Sequence, residues 1–143
     1  MKSKILIVIT IVCTTVIIFQ SSVRAQTQRT VMEGVYTTPQ ADRGAAIVQL
    51  VGCAACHGDN LGGGVEETPP LVGSDFVGSW NGRTLGDLFL QISTMPPDGS
   101  FKITPEGYTD LMAFLLRANG YPAGKSEIVP DKEVLSQIKI VLP

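Results

Sequence analysis

Cys53-Ala54-Ala55-Cys56-His57 gathers two of the three cysteines and the only histidine of a 143-residue chain. Two thiols at this spacing, with an imidazole beside them, suit three kinds of chemistry. A closed zinc site needs four ligands, and apart from Cys13, far upstream, no other cysteine or histidine remains. A carboxylate could serve as the fourth ligand, though such sites seldom use one. A redox dithiol of the C-x-x-C kind belongs beside a βαβ pattern, which the chain lacks. The third reading is covalent attachment of a haem, for which C-x-x-C-H is the known spacing. Two thiols add across the two vinyl groups at the haem edge, and the adjacent histidine falls beneath the iron as proximal ligand. The sequence therefore predicts one haem c, held through Cys53 and Cys56 and ligated by His57.

A single histidine cannot ligate both faces of an iron. A second protein ligand is then expected to be a methionine sulfur, soft and neutral. The candidates are Met32, Met95 and Met112. Met112 falls inside a helical pattern and reads as packing. Met32 falls in a stretch with no regular period. Met95 directly precedes Pro96-Pro97, whose restricted backbone presents a side chain at small ordering cost, and it is the expected ligand. An open or exchanging sixth position is the alternative.

The elements that must hold these residues read as helices. Thr37 and Gln40 have capping-box spacing, Pro39 suits a first turn, and Ala41, Ala45, Val48 and Val51 share a face that ends at Gly52. Residues 58–79 are rich in glycine and proline and read as a loop, long enough to need something to wrap. Thr84 and Asp87 mark a second helix with an apolar stripe of Leu85, Leu88, Phe89 and Ile92, stopped by the two prolines. Thr104-Pro105-Glu106 opens a third helix, which ends at Asn119-Gly120; Tyr108, Leu111, Phe114 and Leu115 form its face. A short helix is expected near 131–138. No alternation long enough for a sheet is present, so the fold class is all-α.

Domain boundaries follow from the same pass. Residues 1–25 read as a secretory signal: Lys2 and Lys4, an apolar run over 5–19, and Val23-Arg24-Ala25 before the cut. The run is short for a membrane anchor, so no stable insertion is expected after cleavage, and an exported location follows. Residues 26–37 are expected to be a loose arm, 38–120 the domain, and 121–143 an extension packing on it. Cleavage lowers the basic count from 11 to eight against 13 acidic residues, a net charge of −5. That balance speaks against nucleic acid as a partner.

With these residues in hand, the chain resembles the class I monohaem c-type cytochromes over about residues 38–120. The resemblance rests on CAACHG followed in order by Pro69-x-Leu71-x-Gly73, Trp80-x-x-x-Thr84-Leu85, Met95-Pro96 and Leu111-Met112-Ala113-Phe114-Leu115. It implies a small cytochrome c fold of three to five short helices around one haem. It implies that the Pro69 carbonyl accepts a hydrogen bond from His57 Nδ1, that Leu71 packs on the haem, and that the Trp80 indole N–H reaches a propionate. Arg83 is either a second propionate partner or a solvated surface cation. Leu85, Leu88, Phe89 and Ile92 are pocket or core residues. In such proteins a glycine on the first helix lets an aromatic of the last approach closely. Phe114 matches the aromatic and Gly44 is the candidate glycine, although the usual spacing to the first cysteine falls on Ala45.

The resemblance implies a periplasmic electron carrier, not an enzyme, cycling between Fe(II) and Fe(III). The stretch 118–128 resembles cytochrome domains associated with quinoprotein dehydrogenases, so such a dehydrogenase and a terminal oxidase are the expected redox partners. The rival reading is a haem enzyme or gas sensor whose sixth iron ligand is open or displaceable.

Overall fold

Three capping signals decide where the long helices begin. The computed structural model describes residues 28–64 and 68–143; the expected signal segment 1–25 lies outside them. Helix α1 spans Thr38–Val51, with the Thr37 hydroxyl accepting from the Gln40 N–H at 3.3 Å and Gly52 closing it in a left-handed conformation (φ 74°). Helix α2 is the single turn Ala54–His57, α3 spans Ser74–Trp80, and α4 spans Leu85–Ile92. On α4 the Asp87 N–H donates to Thr84 Oγ1 at 3.1 Å, while the Asp87 carboxylate accepts from the Thr84 N–H and hydroxyl, both at 2.8 Å. Helix α5 spans Pro105–Ala118 behind the Thr104 cap, and α6 spans Lys132–Ser136 behind Asp131.

Among the described residues six α-helices, several of them only one or two turns long, make up the small all-α fold that the sequence predicts. Helix α3 begins within the stretch expected to be a loop and runs one residue past its end. Its apolar face is only Phe76, Val77 and Trp80, all buried, too few residues to establish a period in sequence. Its tertiary contacts supply what periodicity does not.

The loose arm is also corrected. Arg29–Thr30 (β1) pairs in parallel with Ile138–Lys139 (β2), Arg29 opposite Ile138 and Thr30 opposite Lys139. Val31, Val35 and Tyr36 are fully or almost fully buried. The Tyr36 hydroxyl donates to the Tyr121 carbonyl at 2.7 Å, and the Gly124 N–H donates to the Tyr36 carbonyl at 2.6 Å. Gln40, also buried, uses its whole amide on Ile128, donating to the carbonyl and accepting from the N–H at 2.8 Å each. The arm is therefore tied down by the tail, a contact between segments about a hundred residues apart that no local pattern encodes.

Helices α1 and α5 cross at Gly44. A Cβ there would stand 2.0 Å from the Asp110 carbonyl oxygen and 2.8 Å from Phe114 Cβ, so glycine is what permits the crossing, and Gly44 rather than Ala45 occupies it. Beside it Arg43 grips Asp110 through two bonds of 2.8 and 2.9 Å and Glu127 through one of 2.9 Å. The core beneath contains Met112, Leu115, Leu116, Leu85 and Leu88. Among the described residues no helix is long and apolar enough to cross a membrane.

Candidate functional site

Directly after α1, Cys53 caps the turn α2, which carries Cys56 and His57. The left-handed Gly52 redirects the chain, the Cys53 N–H reaches back to the Val48 carbonyl at 3.2 Å, and the His57 N–H bonds the Cys53 carbonyl at 3.0 Å. Gly64 lies directly over this turn: a Cβ there would overlap the Cys56 carbonyl oxygen at 1.5 Å. The two sulfurs are not joined as a disulfide, and partial burial pushes the Cys53 thiol pKa up, with Cys56 adding a smaller rise.

His57 Nδ1 donates to the Pro69 carbonyl at 2.8 Å. A proton held at Nδ1 leaves the Nε2 lone pair free to act as a ligand. The carbonyl sits on a braced loop: the Leu71 N–H bonds the Leu61 carbonyl at 2.8 Å, and Asn119 binds both Leu71 and Gly73.

One cleft of about 620 Å³ opens between these elements, a size within the range of roughly 300–1,000 Å³ for cofactor sites. Cys53, Cys56 and His57 line it together with Pro69 and Leu71 of the braced loop, Phe76 and Trp80 of α3, Leu88 and Ile92 of α4, Met95, and Leu111 and Leu115 of α5. Of the described methionines, only Met95 lines the cleft: Met112 is wholly inside the core and Met32 is 42% exposed. The Met95 loop is fixed by the Met95 N–H on the Ile92 carbonyl (3.1 Å), the Ser93 hydroxyl on the Phe89 carbonyl (2.6 Å) and the Thr94 hydroxyl on the Gln91 carbonyl (2.7 Å). The Met95–Pro96 peptide is cis.

Of the two roles open to it, pocket or core, Leu85 takes the core. It is fully buried but does not line the cleft. It stands in the first turn of α4, whose neighbours belong to the tail: Gly86 lies against Ser136, and Thr84 bridges Lys139. Leu88 and Ile92, one and two turns further on, face the cleft instead.

Among the described residues Arg83 is the one Lys, Arg, Asp or Glu in the cleft wall, with its Cζ 4.1 Å from the Trp80 ring centre. This is cation–π distance. Trp80 is 8% exposed, and among the described residues no protein acceptor bonds its indole N–H. Phe76, which lines the cleft, and Asn119, which braces its loop, were not marked as site residues by the sequence. A phenylalanine in a glycine-rich stretch offers a weak signal; an asparagine at a helix end offers only that of a terminator.

These residues fit a haem by their own chemistry. The cleft is apolar and large, its thiols are adjacent, one imidazole is oriented with a free nitrogen, one thioether shares the cavity, and an indole donor and a guanidinium remain for anionic groups. Fold and cleft together define a small all-α c-type cytochrome domain of the class I monohaem kind. Over residues 39–115, more than half its length, the chain matches the family described as cytochrome c oxidase, cbb3-type, subunit III, and it belongs to that family. Among curated proteins and among solved structures, nothing matches it. A c-type cytochrome domain supports haem-based electron transfer.

Proposed function

We propose that the chain is a periplasmic one-electron carrier that would hold a single haem c through thioethers at Cys53 and Cys56, with His57 and Met95 as the residues that would ligate its iron. The observation that carries this reading is the His57 Nδ1–Pro69 bond in a cleft that Met95 also lines. When bound, the haem supplies an Fe(II)/Fe(III) couple, and an imidazole–thioether ligand pair favours its reduced state relative to more basic pairs. His57 keeps its proton on Nδ1, shared with Pro69, and so presents a constant Nε2 donor in both redox states. The Met95 loop holds its sulfur without a large ordering cost. Phe76, Leu88, Ile92, Leu111 and Leu115 exclude water, which keeps reorganisation small. Trp80 and Arg83 offer N–H donors to propionate carboxylates.

Electrons pass from a periplasmic dehydrogenase, of the quinoprotein kind suggested by residues 118–128, to an oxidase or other acceptor. The family description, with its oxidase, supports the acceptor side. Encounters would be weak and transient, as redox contacts commonly are. The test is a reduced-minus-oxidised spectrum with a carbon monoxide challenge. Slow or negligible binding to the native ferrous protein, becoming rapid in Met95→Ala, is expected. Rapid binding to the native protein, or an unchanged spectrum and potential in Met95→Ala, would remove Met95 from the iron and favour an open-site haem enzyme or sensor.

A further inference from the structure

Asn119 ends α5 and is 9% exposed. Closing the helix requires one bond, from Nδ2 to the Leu115 carbonyl at 2.8 Å. The other two bonds reach far back along the chain. Nδ2 also donates to the Leu71 carbonyl at 3.0 Å, and Oδ1 accepts the Gly73 N–H at 2.9 Å. A primary amide offers two donor hydrogens and one carbonyl acceptor, and here all are engaged. Gly73 has no side chain to pack and a positive φ of 89°, so its amide bond to Asn119 is a direct tether. Leu71, two residues beyond Pro69, is held through its carbonyl by Asn119 and through its N–H by Leu61.

We propose that Asn119 is a positioning residue for His57: by fixing Leu71–Gly73 to the end of α5 it holds the Pro69 carbonyl at hydrogen-bond distance from Nδ1. Its effect on the iron rests on the haem reading above; its effect on the histidine does not. The Pro69 bond makes the imidazole a more basic ligand, which favours the ferric state. Loosening the loop weakens that bond and moves the potential upward.

The experiment compares the purified full-length protein with Asn119→Leu, which removes all three bonds at similar size, and Asn119→Ser, a milder change for the case where leucine prevents folding. Gln40→Leu serves as the control, destabilising the arm and tail without touching the loop. Midpoint potential and the solvent exchange of the His57 Nδ1 proton, followed by NMR, are read in each. Both Asn119 variants are expected to raise the ferrous-to-ferric ratio at fixed solution potential by about threefold, equivalent to about 28 mV for one electron, and to speed His57 exchange several-fold. Gln40→Leu is expected to change neither. Asn119 variants that lose stability yet keep wild-type potential and exchange would overturn the proposal, leaving Asn119 a helix terminator. If the wild-type protein carries no haem, the functional reading fails, while the exchange comparison still judges Asn119.

Discussion

Replacing Gly44 with alanine should destabilise the protein, although alanine is the better helix former. An added Cβ would lie 2.0 Å from the Asp110 carbonyl oxygen, 2.6 Å from its carbon and 2.8 Å from Phe114 Cβ. Ordinary contact begins near ~3.5 Å, so α1 and α5 must part by more than an ångström at this point. The obstacle is backbone, which cannot rotate aside, so overpacking falls toward the upper end of its usual range, about 3 kcal/mol. The gain in helix propensity returns about 1 kcal/mol. The net loss of about 2 kcal/mol is a substantial share of a domain stability of roughly 5–15 kcal/mol and lowers the melting temperature by about 8 °C. The same displacement would stretch the Arg43–Asp110 bonds and shift Leu111 and Leu115, which line the cleft. Gly78→Ala is the matched control: that position is inside α3 with no atom within 4 Å of an added Cβ, so it should be neutral or stabilising by up to about 1 kcal/mol. Thermal melts of both variants decide the matter. A Gly44→Ala protein as stable as wild type would refute the close crossing.

Gln40→Leu leaves the Ile128 N–H and carbonyl without their partner in a buried setting and should cost about 2 kcal/mol, with the tail becoming the first site of limited proteolysis. Asp87→Ala removes the two bonds that the Asp87 carboxylate accepts from Thr84, leaving the backbone cap bond, and should cost about 1 kcal/mol at neutral pH. Those bonds hold the Asp87 carboxyl below the usual carboxylate range, with the Thr84 N–H the largest cause. Its contribution is therefore complete above the unfolded value of about 4 and disappears as pH falls through the lower folded value. Urea unfolding at stepped pH should show wild type and Asp87→Ala converging in acid; a gap that stays constant to low pH would contradict this.

The chemistry-bearing residues were legible because their identities and spacing are local. Two cysteines and a histidine within one turn, a proline that could face the imidazole, and a methionine before two prolines are all readable in order, and the structure gathers them around one cleft. The helix caps were equally legible, since Thr37, Thr84 and Thr104 act on amides three residues away. What escaped is held by distant contacts. The arm is ordered by β2 and the 121–128 segment, α3 by a three-residue apolar face, and Asn119 by amides of a loop 46 and 48 residues upstream. Leu85 and Leu88 share a stripe in sequence, yet one meets the tail and the other the cleft, a division that only the packing partners decide. The Gly44–Ala45 ambiguity ended likewise, with the position of the Asp110 carbonyl.

Mass spectrometry of the purified, denatured protein reads haem attachment itself. One haem per chain is expected, retained after denaturation and localised to the peptide containing Cys53 and Cys56, with neither thiol open to alkylation. A chain with both thiols alkylatable, or with the two joined as a disulfide and no haem attached, would contradict it.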